Sequence, residues 1–191
     1  MTHELNVSFE RVDRALADLG RSELLGRLRA GCGSDDVRRG LDAAGIASSG
    51  QLEALFGWHD GTDASQAMLD DIHMFPGFYL LTLDDALANY SAFVGDPRWR
   101  PGWLPVFANG GGDFYVADQS GSATGQVSHF RIDESDHPVE FSSLTNFFAT
   151  IAACFDDGIF FVDPSGYLEM DDVAFGTVAG RVDPTVSWWN D

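Results

Sequence analysis

Four groups of residues have the types and spacing that chemistry asks for. His59-Asp60 with Asp63 puts an imidazole and two carboxylates within five residues, a set able to hold a metal or relay a proton. The structural alternative is simpler: Trp58 packs, Asp60-Gly61 make the turn that ends a helix, and His59 satisfies backbone groups. No H-x-x-x-H, C-x-x-C or H-E-x-x-H spacing accompanies the cluster, which favours the structural reading. Gly110-Gly111-Gly112-Asp113 has the glycine content of a phosphate-cradling loop. A strand pattern follows it rather than a helix, so no helix N-terminus stands ready for an anion. The expectation is a hairpin turn with positive φ, in which Asp113 bonds the turn amides. Asp156-Asp157 with Asp163, and Glu169 with Asp171-Asp172, are acidic enough for calcium but lack the D-x-[DN]-x-[DN]-G spacing, and read as a solvated acidic surface. Cys32 and Cys154 have no histidine beside them, and no G-x-S-x-G occurs. No catalytic, cofactor-binding or metal-binding residue is assigned on these patterns, and no cofactor is expected.

The elements that must position these residues follow from periodicity. Leu5, Phe9, Val12, Leu16 and Leu19 recur at spacings of 4, 3, 4 and 3, an amphipathic helix ending at Gly20. Leu24, Leu25 and Leu28 suggest a second short helical turn. Ser34 or Asp35 is placed to cap a helix through Val37, Leu41 and Ala44, and Ser48-Ser49-Gly50 opens another through Leu52, Leu55, Phe56 and Trp58. Phe78 to Leu83 is β-rich, with Asp84-Asp85 starting a helix after it. Leu104-Pro105-Val106-Phe107 reads as a strand, with Pro105 pointing to a sheet edge or a strand start. Asp113 to Asp118 forms a hairpin with it, and Gln126 to Ile132 is a third strand. Ser142-Ser143 caps a helix carrying Leu144, Phe147, Phe148, Ile151 and Phe155. Ile159 to Val162 and Val173 to Val178 read as late strands or an irregular tail that stops at Trp188-Trp189. The order of helices, antiparallel meander, then helix predicts an α+β fold whose sheet is covered on one face.

Composition narrows the function classes. The chain has 191 residues, enough for one domain, and 45% are hydrophobic. Its 30 acids oppose 11 bases, all of them arginine, for a net charge of −19. Residues 1–50 carry seven arginines and eight acids, a net of −1, whereas residues 51–191 carry four arginines and 22 acids, a net of −18. Such a field repels nucleic acid and anionic membranes and attracts basic surfaces. Without lysine there is no P-loop lysine, Schiff base or pyridoxal anchor. No apolar run approaches the roughly 18 residues of a membrane helix, and no secretory leader pattern opens the chain, so a cytoplasmic protein with two reduced, buried thiols is expected.

Several segments occur together in one family. Phe56-Gly57-Trp58-His59-Asp60-Gly61 resembles its helix-terminal Trp-His-Asx-Gly, and Leu81-Thr82-Leu83-Asp84-Asp85-Ala86 its strand-to-helix segment. Trp103-Leu104-Pro105-Val106-Phe107-Ala108-Asn109-Gly110-Gly111-Gly112-Asp113-Phe114-Tyr115 resembles its Trp-to-Gly-Asp-aromatic core. Gly125-Gln126-Val127 and Ser142-Ser143-Leu144-Thr145-Asn146-Phe147-Phe148 resemble its closing strand and helix. In this order the segments resemble the SUKH superfamily, which includes the fungal Smi/Knr cell-wall regulators, over roughly residues 34–156. The resemblance implies a SUKH-like core over 34–156, an added N-terminal helical extension over 1–33 and a C-terminal extension over 157–191 packed on the core. It further implies a non-enzymatic protein-binding module. In bacterial members that is an intracellular immunity protein neutralising a toxin, often a nuclease; other members are regulatory interaction proteins without a toxin partner. In the immunity reading, Asp70, Asp71, Asp96, Asp133, Glu134 and Asp136 imitate phosphates and enter the basic cleft of the partner, with Tyr79, Trp99 or Trp103 as anchors. Trp58, His59, Asp60, Gly61, Trp103, Gly111, Gly112 and Asp113 are expected to be structural.

Overall fold

The computed structural model describes residues 2–190. At its centre lies a five-stranded antiparallel meander: β3 (Tyr79–Leu80), β4 (Trp103–Ala108), β5 (Phe114–Asp118), β6 (Val127–Phe130) and β7 (Val139–Phe141), paired in that order. Two small ladders flank it, β1 (Leu28–Ala30) with β2 (His59–Thr62) and β8 (Phe160–Val162) with β9 (Leu168–Met170). The helices are α1 (Thr2–Asp18), α2 (Ser22–Arg27), α3 (Ser34–Ala43), α4 (Gly50–Trp58), α5 (Leu69–Ile72), α6 (Leu83–Phe93), α7 (Leu144–Asp156) and α8 (Asp172–Val182). The fold is α+β, as the periodicity indicated.

Strand alternation sorts the aromatic side chains onto two faces. Phe107, Tyr115 and Phe141 lie under Phe147 of α7, at ring separations of 5.6, 5.1 and 5.1 Å. Helix α1 covers the far side of α7, where Phe9 meets Phe148 edge-on at 4.8 Å and stacks on Trp58 of α4 at 4.3 Å. On the opposite face Phe114 and Phe130 meet Phe93 of α6 and Trp99 of the following loop. The sheet is therefore covered on both faces, not one. The reason is visible in β4 and β5, where every residue is buried and the apolar run is continuous rather than alternating.

Other expectations change in the same way. Pro105 lies neither at an edge nor at a strand start: β4 is paired on both sides, and the proline sits where the register shifts between Pro105 and Phe107, so its missing N–H falls at a bulge. Leu28 opens β1 instead of extending a helix. Of the run 78–83 only Tyr79–Leu80 is strand, because Thr82 caps α6: its hydroxyl oxygen accepts from the Asp85 amide at 3.0 Å and donates to the Asp85 carboxylate at 2.7 Å. Val173 to Val178 lies inside α8, whose first turn is capped by Asp171 accepting from the Ala174 amide. Cys32 occupies the connection between β1 and α3, while Cys154 is on α7. Strand β7 follows a turn with no clear strand pattern and was not expected.

Candidate protein-binding groove

The residues singled out from sequence fall into three places. The first is the junction of α1, α4 and β2. Helix α4 ends at Trp58 and His59-Asp60-Gly61 continue as a strand, so Asp60-Gly61 do not form a turn. Trp58 donates its indole N–H to Asp13 at 2.8 Å. His59 places Nε2 3.3 Å from the same carboxylate and Nδ1 3.2 Å from the Arg29 carbonyl. Asp60 accepts from the Leu83 amide at 2.9 Å, holding the start of α6 against β2, and Asp63 accepts from Ser65 instead of joining His59. The three residues that suggested metal or acid–base chemistry are thus dispersed onto separate structural partners. Asp13, which organises the junction, carries no sequence signal beyond its place on a helix.

The second place is the β4–β5 turn. Gly110 and Gly112 adopt φ of +78° and +107°, as a hairpin with positive φ requires. The turn amides, however, bond Asn109 and not Asp113: Asn109 Oδ1 accepts from Gly111 at 2.7 Å and from the Asp113 amide at 3.1 Å. The Asp113 carboxylate instead reaches across to the Ile132 amide at 2.8 Å, pinning the end of β6.

The third group, the proposed contact residues, divides. Trp99 and Trp103 are 5% and 1% exposed and belong to the aromatic cluster behind the sheet, so neither is available as an anchor; Tyr79 is half-buried. Asp96 is engaged by Arg98, whose side-chain and backbone N–H groups hold its carboxyl down to about 2. Arg98 also donates to the carbonyls of Ile132 and Glu134, so it ties Asp96 to the 133–136 loop. Glu134 lies 3.5 Å from Arg131, while Asp133 and Asp136 are exposed. The positive charge of Arg98 and Arg131 offsets much of this cluster.

Asp70 and Asp71, in contrast, stand on α5 beside acids that the sequence assigned only to a solvated surface. Asp70, Glu169 and Asp172 line a groove of about 450 Å³ between α5 and the β8–β9 hairpin. The hairpin is built by Asp163, which accepts from the Ser165 and Tyr167 amides at 2.8 Å each, with Gly166 at φ +94°. This turn leaves Tyr167 47% exposed on the groove wall. Beneath α5, Arg21 is buried and donates to the Asp70 and His73 carbonyls. Burial opposes its charge, and Asp71 and Asp70 offset that cost. Among the described residues no arginine lines the groove itself, and Glu169 and Asp172 carry no ion pair. The sequence signal for this site was the D-P-S-G-Y turn followed by three acids within five residues; only the fold sets them facing α5.

Neither cysteine is poised as a nucleophile. Burial and a hydrogen bond to Asp60 push the Cys32 thiol up to about 11, and burial pushes Cys154 up to about 12. Among the described residues no helix is long and apolar enough to cross a membrane. Neither known protein-family models nor curated proteins give a match to this chain.

Proposed function

We propose that the chain is a non-enzymatic binding module that engages the basic surface of a protein partner through the groove between α5 and the β8–β9 hairpin. The observation that carries this reading is the convergence of Asp70, Glu169 and Asp172 around an exposed Tyr167 with no arginine in the lining. Among the described residues Glu169 and Asp172 form no ion pair, whereas Asp70 faces His73 at 3.8 Å; unpaired carboxylates steer and fix a cationic partner, and a half-exposed tyrosine is a favoured anchor at interface centres. Together with the resemblance to the SUKH superfamily, this makes an intracellular immunity protein against a basic toxin domain, a nuclease among the candidates, the function we assign.

The test is rescue. The product of the upstream neighbouring gene is expressed in a test cell with and without this protein. The expected outcome is killing that the wild type relieves, that Glu169→Lys/Asp172→Lys no longer relieves, and that Asp133→Lys/Asp136→Lys still relieves. In vitro, affinity should fall on the order of tenfold or more between low and physiological salt, as exposed charge pairs are screened. A complex indifferent both to salt and to the groove substitutions would remove the groove from the interface.

A further inference from the structure

The acidic groove follows the edge of a strand. On the hairpin side it is lined by four consecutive residues, Tyr167, Leu168, Glu169 and Met170, and by none of β8, so it runs along the outer margin of β9. We propose that this margin takes an extended, arginine- or lysine-rich segment of the protein partner as a third strand of the hairpin. The inference rests on the groove reading above and adds to it how the partner is held.

The register decides which backbone groups the margin offers. Strands β8 and β9 pair Phe160 with Met170, Phe161 with Glu169 and Val162 with Leu168, without a bulge. The Asp163 amide donates to the Tyr167 carbonyl at 2.8 Å, and the Asp171 amide to the Ile159 carbonyl at 3.2 Å. Bonded and non-bonded pairs alternate in an antiparallel ladder, so Phe161 and Glu169 bond each other, whereas Leu168 and Met170 turn their N–H and C=O groups away from β8. Among the described residues no hydrogen bond takes these outward groups. The facing turn closes on itself: the Phe78 amide donates to the Phe75 carbonyl at 3.0 Å, the Met74 amide donates to the Phe78 carbonyl at 2.8 Å, and Pro76 has no N–H. A margin with open amides and carbonyls, no proline and no bulge is a template for an added strand.

Charge chooses the occupant. Tyr167 and Glu169 are exposed on one face of β9, while Leu168 is buried and Met170 half-buried on the other, and Asp70 and Asp172 line the same groove. A second copy of this chain, at a net charge of −19, is repelled by these carboxylates, and a cationic segment is drawn to them. Two outward-facing residues make too short a ladder to hold a strand alone, so backbone and carboxylates act together. The added segment is therefore basic where its side chains lie beside Glu169 and apolar where they lie beside Met170.

The experiment is calorimetric titration of the full chain with the peptide acetyl-Thr-Arg-Val-Arg-Val-Arg-Val-Thr-amide. Two further peptides carry N-methyl groups, one on every valine nitrogen and the other on every arginine nitrogen. All three share side chains and charge, but alternate residues of a strand turn their N–H groups to opposite sides. The parent should bind saturably, and only one methylated peptide should weaken, by about tenfold or more. Loss with the valine set means antiparallel addition, and loss with the arginine set means parallel addition. Met170→Pro, which removes an outward N–H and no ladder bond, should weaken the parent peptide comparably, with thermal unfolding confirming that the variant is folded. Equal affinity of the three peptides, with binding lost in Glu169→Lys/Asp172→Lys, would overturn the added strand and leave the acidic groove standing. Indifference to those two substitutions as well would overturn both. No saturable binding of the parent, equal weakening by both methylated peptides, or full-strength binding by folded Met170→Pro would each overturn the added strand.

Discussion

Gly61 shows how much can rest on one hydrogen atom. It lies in β2 at φ +72°, and a Cβ there would sit 2.2 Å from the Thr82 amide nitrogen, against backbone that cannot move without disturbing the α6 cap. Both the left-handed conformation and the contact penalise any side chain. Gly61→Ala should therefore cost roughly 2–5 kcal/mol in urea unfolding, and a change below about 1 kcal/mol would contradict the close approach. The sequence marks this glycine, but as a helix terminator; the contact with Thr82 lies across 21 residues of chain and leaves no local trace. The same gap separates reading from structure at Trp99. An aromatic flanked by Arg98 and Arg100 looks like a surface anchor, yet Phe93, Phe114 and Phe130 enclose it. Side-chain type is legible in sequence, whereas which side of the sheet a loop folds over is not.

At the scale of elements, those with strong local signals were legible: α1, α3, α4, α6 and α7 from apolar spacing and caps, and the β4–β5 hairpin from its glycine run. The C-terminal extension was not, because α8 has a weak apolar stripe and its cap, Asp171, is one acid among several. Its tryptophans divide the work unequally. Trp189 packs between Phe141 and Phe175 and donates to the Glu140 carbonyl, whereas Trp188 is 46% exposed and touches Arg131 from outside. Trp189→Ala should lower unfolding stability by about 3 kcal/mol, from lost packing and a carbonyl left without its donor. Trp188→Ala should cost less than about 1 kcal/mol. Equal losses in chemical denaturation would mean that the extension is not docked through Trp189.

For the molecule as a whole, charge is the dominant quantity, and it was fully legible. What the fold adds is its distribution: Arg11, Arg27, Arg38, Arg39, Arg98, Arg131 and Arg181 all have carboxylate partners, so the uncompensated surface is almost wholly negative. The pH response does not follow from that charge alone. Burial lowers the affinity of His73 for its proton, with Asp70 opposing and Arg21 assisting; burial does the same at His137, aided by Arg98 and opposed by Asp136 and Glu134. A histidine whose folded pKa is depressed is protonated first in the unfolded chain. Its contribution is complete above about pH 6.5 and is lost as pH falls below that value, before most carboxylates titrate. The urea midpoint should thus drop between pH 7 and pH 5, and drop less in His73→Asn/His137→Asn. A midpoint that stays level or rises in that window would show that relief of acidic repulsion outweighs the two buried rings.

The way β7 ends the sheet has one more consequence. A terminal strand ordinarily exposes a row of amides and carbonyls to which any extended chain can add itself. Here the Glu140 carbonyl is taken by the Trp189 indole and the Ser142 amide by Asp183, while the opposite margin, β3, is only two residues long. The sheet is thereby closed to strand addition at both margins. Self-templated stacking of copies along this five-stranded sheet therefore finds little purchase.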